Sequence, residues 1–160
     1  MAKSANGKKE SVAPKSIQNR RARYDYAIED NLEAGIALAG SEVKSLYHGR
    51  ANLTDAYCRI VNGELWLINM DIEPYDKASV FGHERRRDRK LLAHRKEINV
   101  LDRKVMEKGM ALIPLAVYFK NGRVKVDVGL GRGKAQYDKR KSIEEKDTRR
   151  EMDRLRSARL

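Results

Sequence analysis

Three histidines, one cysteine and a cluster of carboxylates are the residues with the means to do chemistry. His48, His83 and His94 stand far apart in the chain, and none pairs with Cys58 or with another histidine at metal-ligand spacing. Solvated or capping roles are expected for them. Glu29, Asp30 and Glu33 lie close enough in sequence to hold a divalent cation for nuclease chemistry, but an ordinary solvated strand end is the expected reading. Gly129, Gly131 and Gly133 alternate after an apolar run, yet no apolar helix follows, as a dinucleotide site would require. They read as a flexible exit or a close approach of backbone to a partner. Cys58 falls mid-strand and is expected to be a buried, inert side chain. No metal, no cofactor and no catalytic residue is expected, so the chain does not read as an enzyme.

Nucleic-acid binding asks for different residues: cations for phosphate, and flat or apolar side chains for unpaired bases. The chain is well supplied with them. Arg20, Arg21 and Arg23 precede Tyr24; Arg85 to Lys90 precede Leu91 and Leu92; Arg123 and Lys125 alternate with valines. Of the two leucines one must pack inward, leaving the other for an apolar contact with a base. The 160 residues carry a formal net charge of +12. That charge is unevenly spread: +6 over residues 1–23, −6 over 24–82, +5 over 83–104, +2 over 105–131 and +5 over 132–160. Such asymmetry makes one adhesive face and leaves another soluble. No apolar run approaches the length of a membrane span, the first 17 residues lack the apolar core of a signal peptide, and a single cysteine suits a cytoplasmic protein.

The elements that must position these residues follow from pattern. Residues 1–18 are polar and small and are expected to form a disordered arm. Tyr24–Asp30 alternates as a strand, and Glu33–Ala39 reads as a second strand with Gly35 at a bend or bulge. Ser41 is the expected N-cap of a short helix ended by Gly49. Asn62-Gly63 and Asn121-Gly122 each predict a type I′ hairpin, with Val124, Val126, Val128 and Leu130 facing the core of the second. Pro114 marks an edge or bulge. Residues 71–90 read as an exposed loop. Ile98, Leu101, Val105 and Met106 share a helical face, which predicts a helix over 95–108 stopped by Gly109. About six short antiparallel strands with two to three helices close best as a small barrel, and a mainly β OB-fold barrel over 19–131 is the expected class. Residues 132–160 hold too few apolar side chains to cover a core. This basic tail is expected to be disordered when free and helical when bound, with the helix propensity concentrated over 142–158.

Five stretches carry a longer resemblance: NRRARYDYAIEDNLEAGIALAGSEVKSL (19–46), GRANLTDAY (49–57), RKLLAHRKEI (89–98), YFKNGRVKVDVGL (118–130), and GK at 133–134 with DKR at 138–140. In these the chain resembles the SmpB family, bacterial proteins that bind transfer-messenger RNA (tmRNA, or SsrA RNA). The resemblance implies an OB-fold, a role in trans-translation and rescue of stalled ribosomes, and no catalysis. It implies as partners the tRNA-like domain of tmRNA, the small-subunit decoding centre and mRNA channel, and the elongation factor EF-Tu on the aminoacylated complex, with no DNA and no membrane. It assigns RNA contacts to Glu33, Leu92 and Lys125 and to the basic positions Arg20, Arg21 and Arg23. With the neighbouring Tyr24, Arg89, Lys90, Arg123 and Lys134 these make up the expected RNA-binding set. It assigns ribosome contacts in the tail to Tyr137, Asp138, Lys139, Arg140 and Met152. Tyr47, Ala93, Gly131 and Ala135 depart from the family's usual residues. The alternative reading is a general OB-fold RNA-binding or ribosome-associated protein.

Overall fold

Two Asn-Gly turns set the frame of the barrel. In the computed structural model, which describes residues 14–75 and 82–158 apart from the side chains at 136–138, Asn62 and Gly63 have φ of 51° and 75°, and Asn121 and Gly122 have φ of 52° and 74°. Left-handed φ at both central positions is the I′ geometry, whose twist matches the strands on either side. The elements run β1 (Ile17–Gln18), α1 (Ala22–Asp25), β2 (Tyr26–Ile36), α2 (Gly40–Tyr47), β3 (Ala51–Asn52), β4 (Tyr57–Val61) and β5 (Glu64–Ile68). They continue as β6 (Asp71–Ile72), β7 (Arg89–Leu92), α3 (Arg95–Lys108), β8 (Ala111–Lys120), β9 (Arg123–Gly133) and α4 (Gln136–Ala158).

Six of the strands close on themselves in the order β8-β4-β5-β7-β2-β9, with β9 returning to β8, and every pairing is antiparallel. This is the mainly β, OB-like barrel the sequence predicts. Its interior holds Val126, Val128 and Leu130 of β9, Leu65 and Leu67 of β5, Leu91 of β7 and Ala34 of β2, all essentially inaccessible. Ile98 and Leu101 of α3 and Leu46 of α2 join the same core. The α3 boundaries are those expected, with Gly109 left-handed at the C-terminus. Met106, expected on the inward face, is 79% exposed. It lies eight residues after Ile98, about 80° round the helix, and so leaves the stripe that Ile98, Leu101 and Val105 share.

Several local expectations are corrected. Residues 24–39 do not make two strands. Tyr24 sits in the single turn of α1, and β2 is one 11-residue strand with a register shift between Ile28 and Asp30. The equally long β9 pairs along it from Tyr26↔Gly133 to Gly35↔Lys125, which removes any need for a turn between the halves. Ordered pairing starts two residues before Asn19, because Ile17 is buried against Val117 of β8; the rest of the expected arm, residues 1–13, lies outside the described residues. Ser41 does not cap α2. Ala39 takes the cap position, the Glu42 carboxylate accepts its N–H at 3.0 Å, and Ser41 Oγ meets His83 Nδ1 at 2.9 Å. The stretch expected as an exposed loop, 71–90, contains β6 and the first two residues of β7. Pro114 does mark a bulge, with a register shift between Pro114 and Ala116. Two of the three alternating glycines serve close approaches within the chain: a Cβ at Gly131 would come within 2.5 Å of the Ala27 carbonyl oxygen, and one at Gly129 within 2.9 Å of Leu115. After β9 the chain is helical over Gln136–Ala158, starting before the expected stretch.

Candidate nucleic-acid interface

Lys125 on β9 stands opposite Gly35 on β2 and Tyr118 on β8, and Gly35 also stands opposite Leu92 on β7. Leu92, Gly35, Lys125 and Tyr118 therefore form one row across four neighbouring strands. Glu33, two residues before Gly35, projects from the same face of β2. Gly35 keeps the centre of this row low: a Cβ there would lie 3.3 Å from Leu92 Cβ. Period-two alternation then splits the two leucines as expected. Leu91 is 1% exposed, and Leu92 is 54% exposed beside Gly35.

The Glu33 carboxylate does not stand alone. Tyr118 Oη donates to Glu33 Oε2, and Lys120 Nζ lies 3.3 Å from Oε1. The Tyr118 hydroxyl, with Lys120 and Lys125 adding positive charge, holds the Glu33 carboxyl below its ordinary range. Partial burial and the neighbouring carboxylate push the Tyr118 phenol up to about 12, so it remains a donor at any physiological pH. The row thus offers an apolar side chain, an oriented anion and lysines on one surface. It suits a polyanion that carries both phosphates and hydrogen-bond donors.

The other expected RNA-binding residues divide into three groups. Arg123 is exposed at the hairpin end, opposite Lys120. Lys90 lies on the outer face of β7 and pairs with Glu64 at 3.2 Å. Arg20, Arg21, Arg23 and Tyr24 sit at the opposite end of β2, roughly 30 Å of strand away, where with Ser142, Ile143, Lys146, Asp147 and Arg150 of α4 they line a groove. There Asp25 ties the barrel to the tail: it accepts Arg21 Nε at 3.2 Å, Lys139 Nζ lies 3.5 Å away, and its carbonyl accepts the Lys134 N–H at 2.8 Å. Lys139 Nζ also stands 5.8 Å from the Tyr24 ring centre, and Lys134 Nζ donates to Ser142 Oγ at 2.8 Å. Arg140 and Met152 are exposed on α4. Tyr137 and Asp138 fall in its first turn, with side chains outside the described residues.

Arg89 is a correction. Expected on the RNA-facing surface, it is fully buried. Its guanidinium donates to Glu42 Oε2 and to the carbonyls of Met70 (2.8 Å), Arg87 (3.2 Å), Arg85 (3.1 Å) and Glu84 (3.4 Å). Glu42 is buried too and also accepts Arg87. Burial alone would raise the Glu42 carboxyl; the hydrogen bonds from Arg87, the Ala39 N–H and Arg89 outweigh it and leave the group lowered. A charge inside this fold needs a partner of this kind. Arg89 is an internal strut for the segment that leads into Leu92, not an RNA contact.

The carboxylates weighed as a metal cluster lean on separate cations. Glu29 is 3.6 Å from Arg132, Asp30 is 3.3 Å from Lys104, and Glu33 takes Tyr118 and Lys120. Among the described residues, no group of three or more acidic, histidine or cysteine side chains is placed to hold a metal ion, and no helix is long and apolar enough to cross a membrane. Cys58 is buried, which pushes its thiol far up and keeps it protonated. Tyr47 packs edge-on against Phe119 at 5.9 Å. Tyr118 and Lys120 were missed, although the two-residue turn at Asn121-Gly122 was signal enough: it sets 120 against 123 and 118 against 125.

Comparison with known proteins follows the same line. The family model described as SmpB protein matches residues 16–158. An SsrA-binding protein from Thermobifida fusca is 55% identical over 142 residues, covering 88% of this chain and 89% of its own. One from Syntrophomonas wolfei is 51% identical over 148 residues, covering 92% and 94%. A solved structure, "tmRNA-SmpB: a journey to the center of the bacterial ribosome", superposes with a TM-score of 0.65 at 46% identity, over 82% of this chain and 95% of that one. The chain belongs to the SmpB family.

Proposed function

We propose that this protein binds tmRNA through the outer face of its barrel and delivers it to stalled ribosomes in trans-translation. The observation that carries the reading is the convergence of Glu33, Leu92 and Lys125. They come from three strands separated in sequence, and the barrel register brings them to one outward patch. Lys125 supplies charge for a phosphate, Leu92 an apolar contact for a splayed base, and Glu33 an acceptor for donors on the RNA. None of these roles needs a reacting atom; the protein works as an RNA-binding factor, in the cytoplasm with the ribosome.

The tail takes the second half of the task. Past its junction with Asp25, α4 is exposed along its length, and a 23-residue helix spans roughly 35 Å. An isolated helix of this kind is marginal in water and gains its stability by docking. In the empty mRNA channel of the small subunit its cations meet rRNA phosphates, so message and tail compete for one site. Tyr137, Asp138, Lys139, Arg140 and Met152 are the residues that make these contacts, and EF-Tu joins through the aminoacylated tmRNA.

Titration of the full chain against the labelled tRNA-like domain of tmRNA and against an elongator tRNA, at one salt concentration, tests the reading. Clear preference for the tRNA-like domain is expected. Equal affinity would reduce the protein to a general RNA binder.

A further inference from the structure

A carboxylate is an awkward group on a surface built for RNA, because a free one repels phosphate. What surrounds Glu33 answers this, and the two kinds of partner do different work. Lys120 approaches both carboxylate oxygens, at 3.3 and 3.5 Å, as a mobile point charge that cancels repulsion without fixing direction. The Tyr118 hydroxyl is directional. It sits on a rigid ring on β8, in register with Lys125, and donates to one oxygen only, Oε2. A bond to one oxygen fixes the plane of the carboxylate and so decides where its free lone pairs point.

We propose that Tyr118 is a positioning residue for RNA recognition: its hydroxyl orients the Glu33 carboxylate so that the remaining lone pairs accept hydrogen-bond donors on the RNA, while Lys120 and Lys125 suppress the repulsion of phosphate. The proposal rests on the tmRNA reading above. It assigns Tyr118 no contact of its own with the RNA and no share in the ionic part of binding. Both negatives are measurable.

The test is a double-mutant cycle on the full chain, with the labelled tRNA-like domain as probe. Tyr118→Phe keeps the ring and removes the hydroxyl. It should weaken binding about tenfold, the size of one hydrogen bond to a charged group, with an unchanged melting temperature and an unchanged slope of log affinity against log salt. Glu33→Gln should weaken binding at least as much. The double variant should bind no worse than Glu33→Gln alone, because the hydroxyl acts only through the carboxylate. Full affinity in Tyr118→Phe overturns the proposal, as do losses that multiply in the double variant or a shallower salt slope. So does full affinity in Tyr118→Phe with a loss in Tyr118→Leu, which would make the ring itself the contact. If the unmutated chain fails to prefer the tRNA-like domain over elongator tRNA, it is the functional reading that falls, and the cycle still reports on Tyr118 with whichever RNA binds.

Discussion

Lys125 and Arg89 show how differently two cations of one chain are used. Lys125 stands between the partly buried Val124 and the buried Val126, so strand period alone turns it outward, and its place in the row with Leu92 and Tyr118 follows from strand pairing. If it touches phosphate, Lys125→Ala removes one released counterion from binding. The log–log salt slope for tmRNA should then fall by about 0.7–0.9, and an unchanged slope would mean that Lys125 makes no phosphate contact. Arg89 stands in a run of cations, and from sequence it cannot be told from its neighbours. Its partner Glu42 lies 47 residues away, and the carbonyls that fill its other donors belong to the chain that folds round it. Buried ion pairs between distant residues leave no local pattern, which is why this one stayed hidden. Glu33 was half legible: its exposure followed from its position, but its value as an acceptor became physical only once Tyr118 and Lys120 were seen beside it.

At the scale of elements, what reads well from sequence is what is decided locally. Both Asn-Gly hairpins and α3 form as expected because turn chemistry and a 3.6-residue stripe are contained within each segment. β2 and β7 read poorly. The bulge in β2 exists to follow the long β9, and β7 joins the barrel between β5 and β2 with its guanidinium anchored to α2. The Glu42–Arg89 pair is thus a strut between α2 and the strand that presents Leu92. Glu42→Gln leaves a buried guanidinium without its counter-charge and should cost about 3–5 kcal/mol in urea unfolding. The sign with pH follows from the lowered Glu42 carboxyl. A group whose folded pKa lies below its unfolded one contributes stability above the ordinary carboxylate range and loses it as pH falls through the folded value. The unmutated protein should lose stability on that acid side, and the Gln variant should lose less of it. Equal acid sensitivity in the two would remove Glu42 from the account.

Over the whole molecule, the net charge of +12 divides by position rather than acting as one field. The Glu33–Lys125 patch occupies one end of the long β2–β9 pair, and the arginines at 20–23 meet the tail helix at the other. In the proposed reading the first end takes tmRNA, and the exposed basic helix at the other reaches toward the ribosome. Composition pointed to a polyanion; only the closed barrel separates the two surfaces. The measurement that tests this division most directly uses a chain truncated after Ala135, which keeps the Lys134 N–H bond to Asp25 but lacks α4. Its affinity for the tRNA-like domain and its support of peptide tagging on stalled ribosomes are read side by side. The account predicts affinity within a few-fold of the full chain and no tagging. Loss of tmRNA binding, or tagging that survives without the helix, would contradict it.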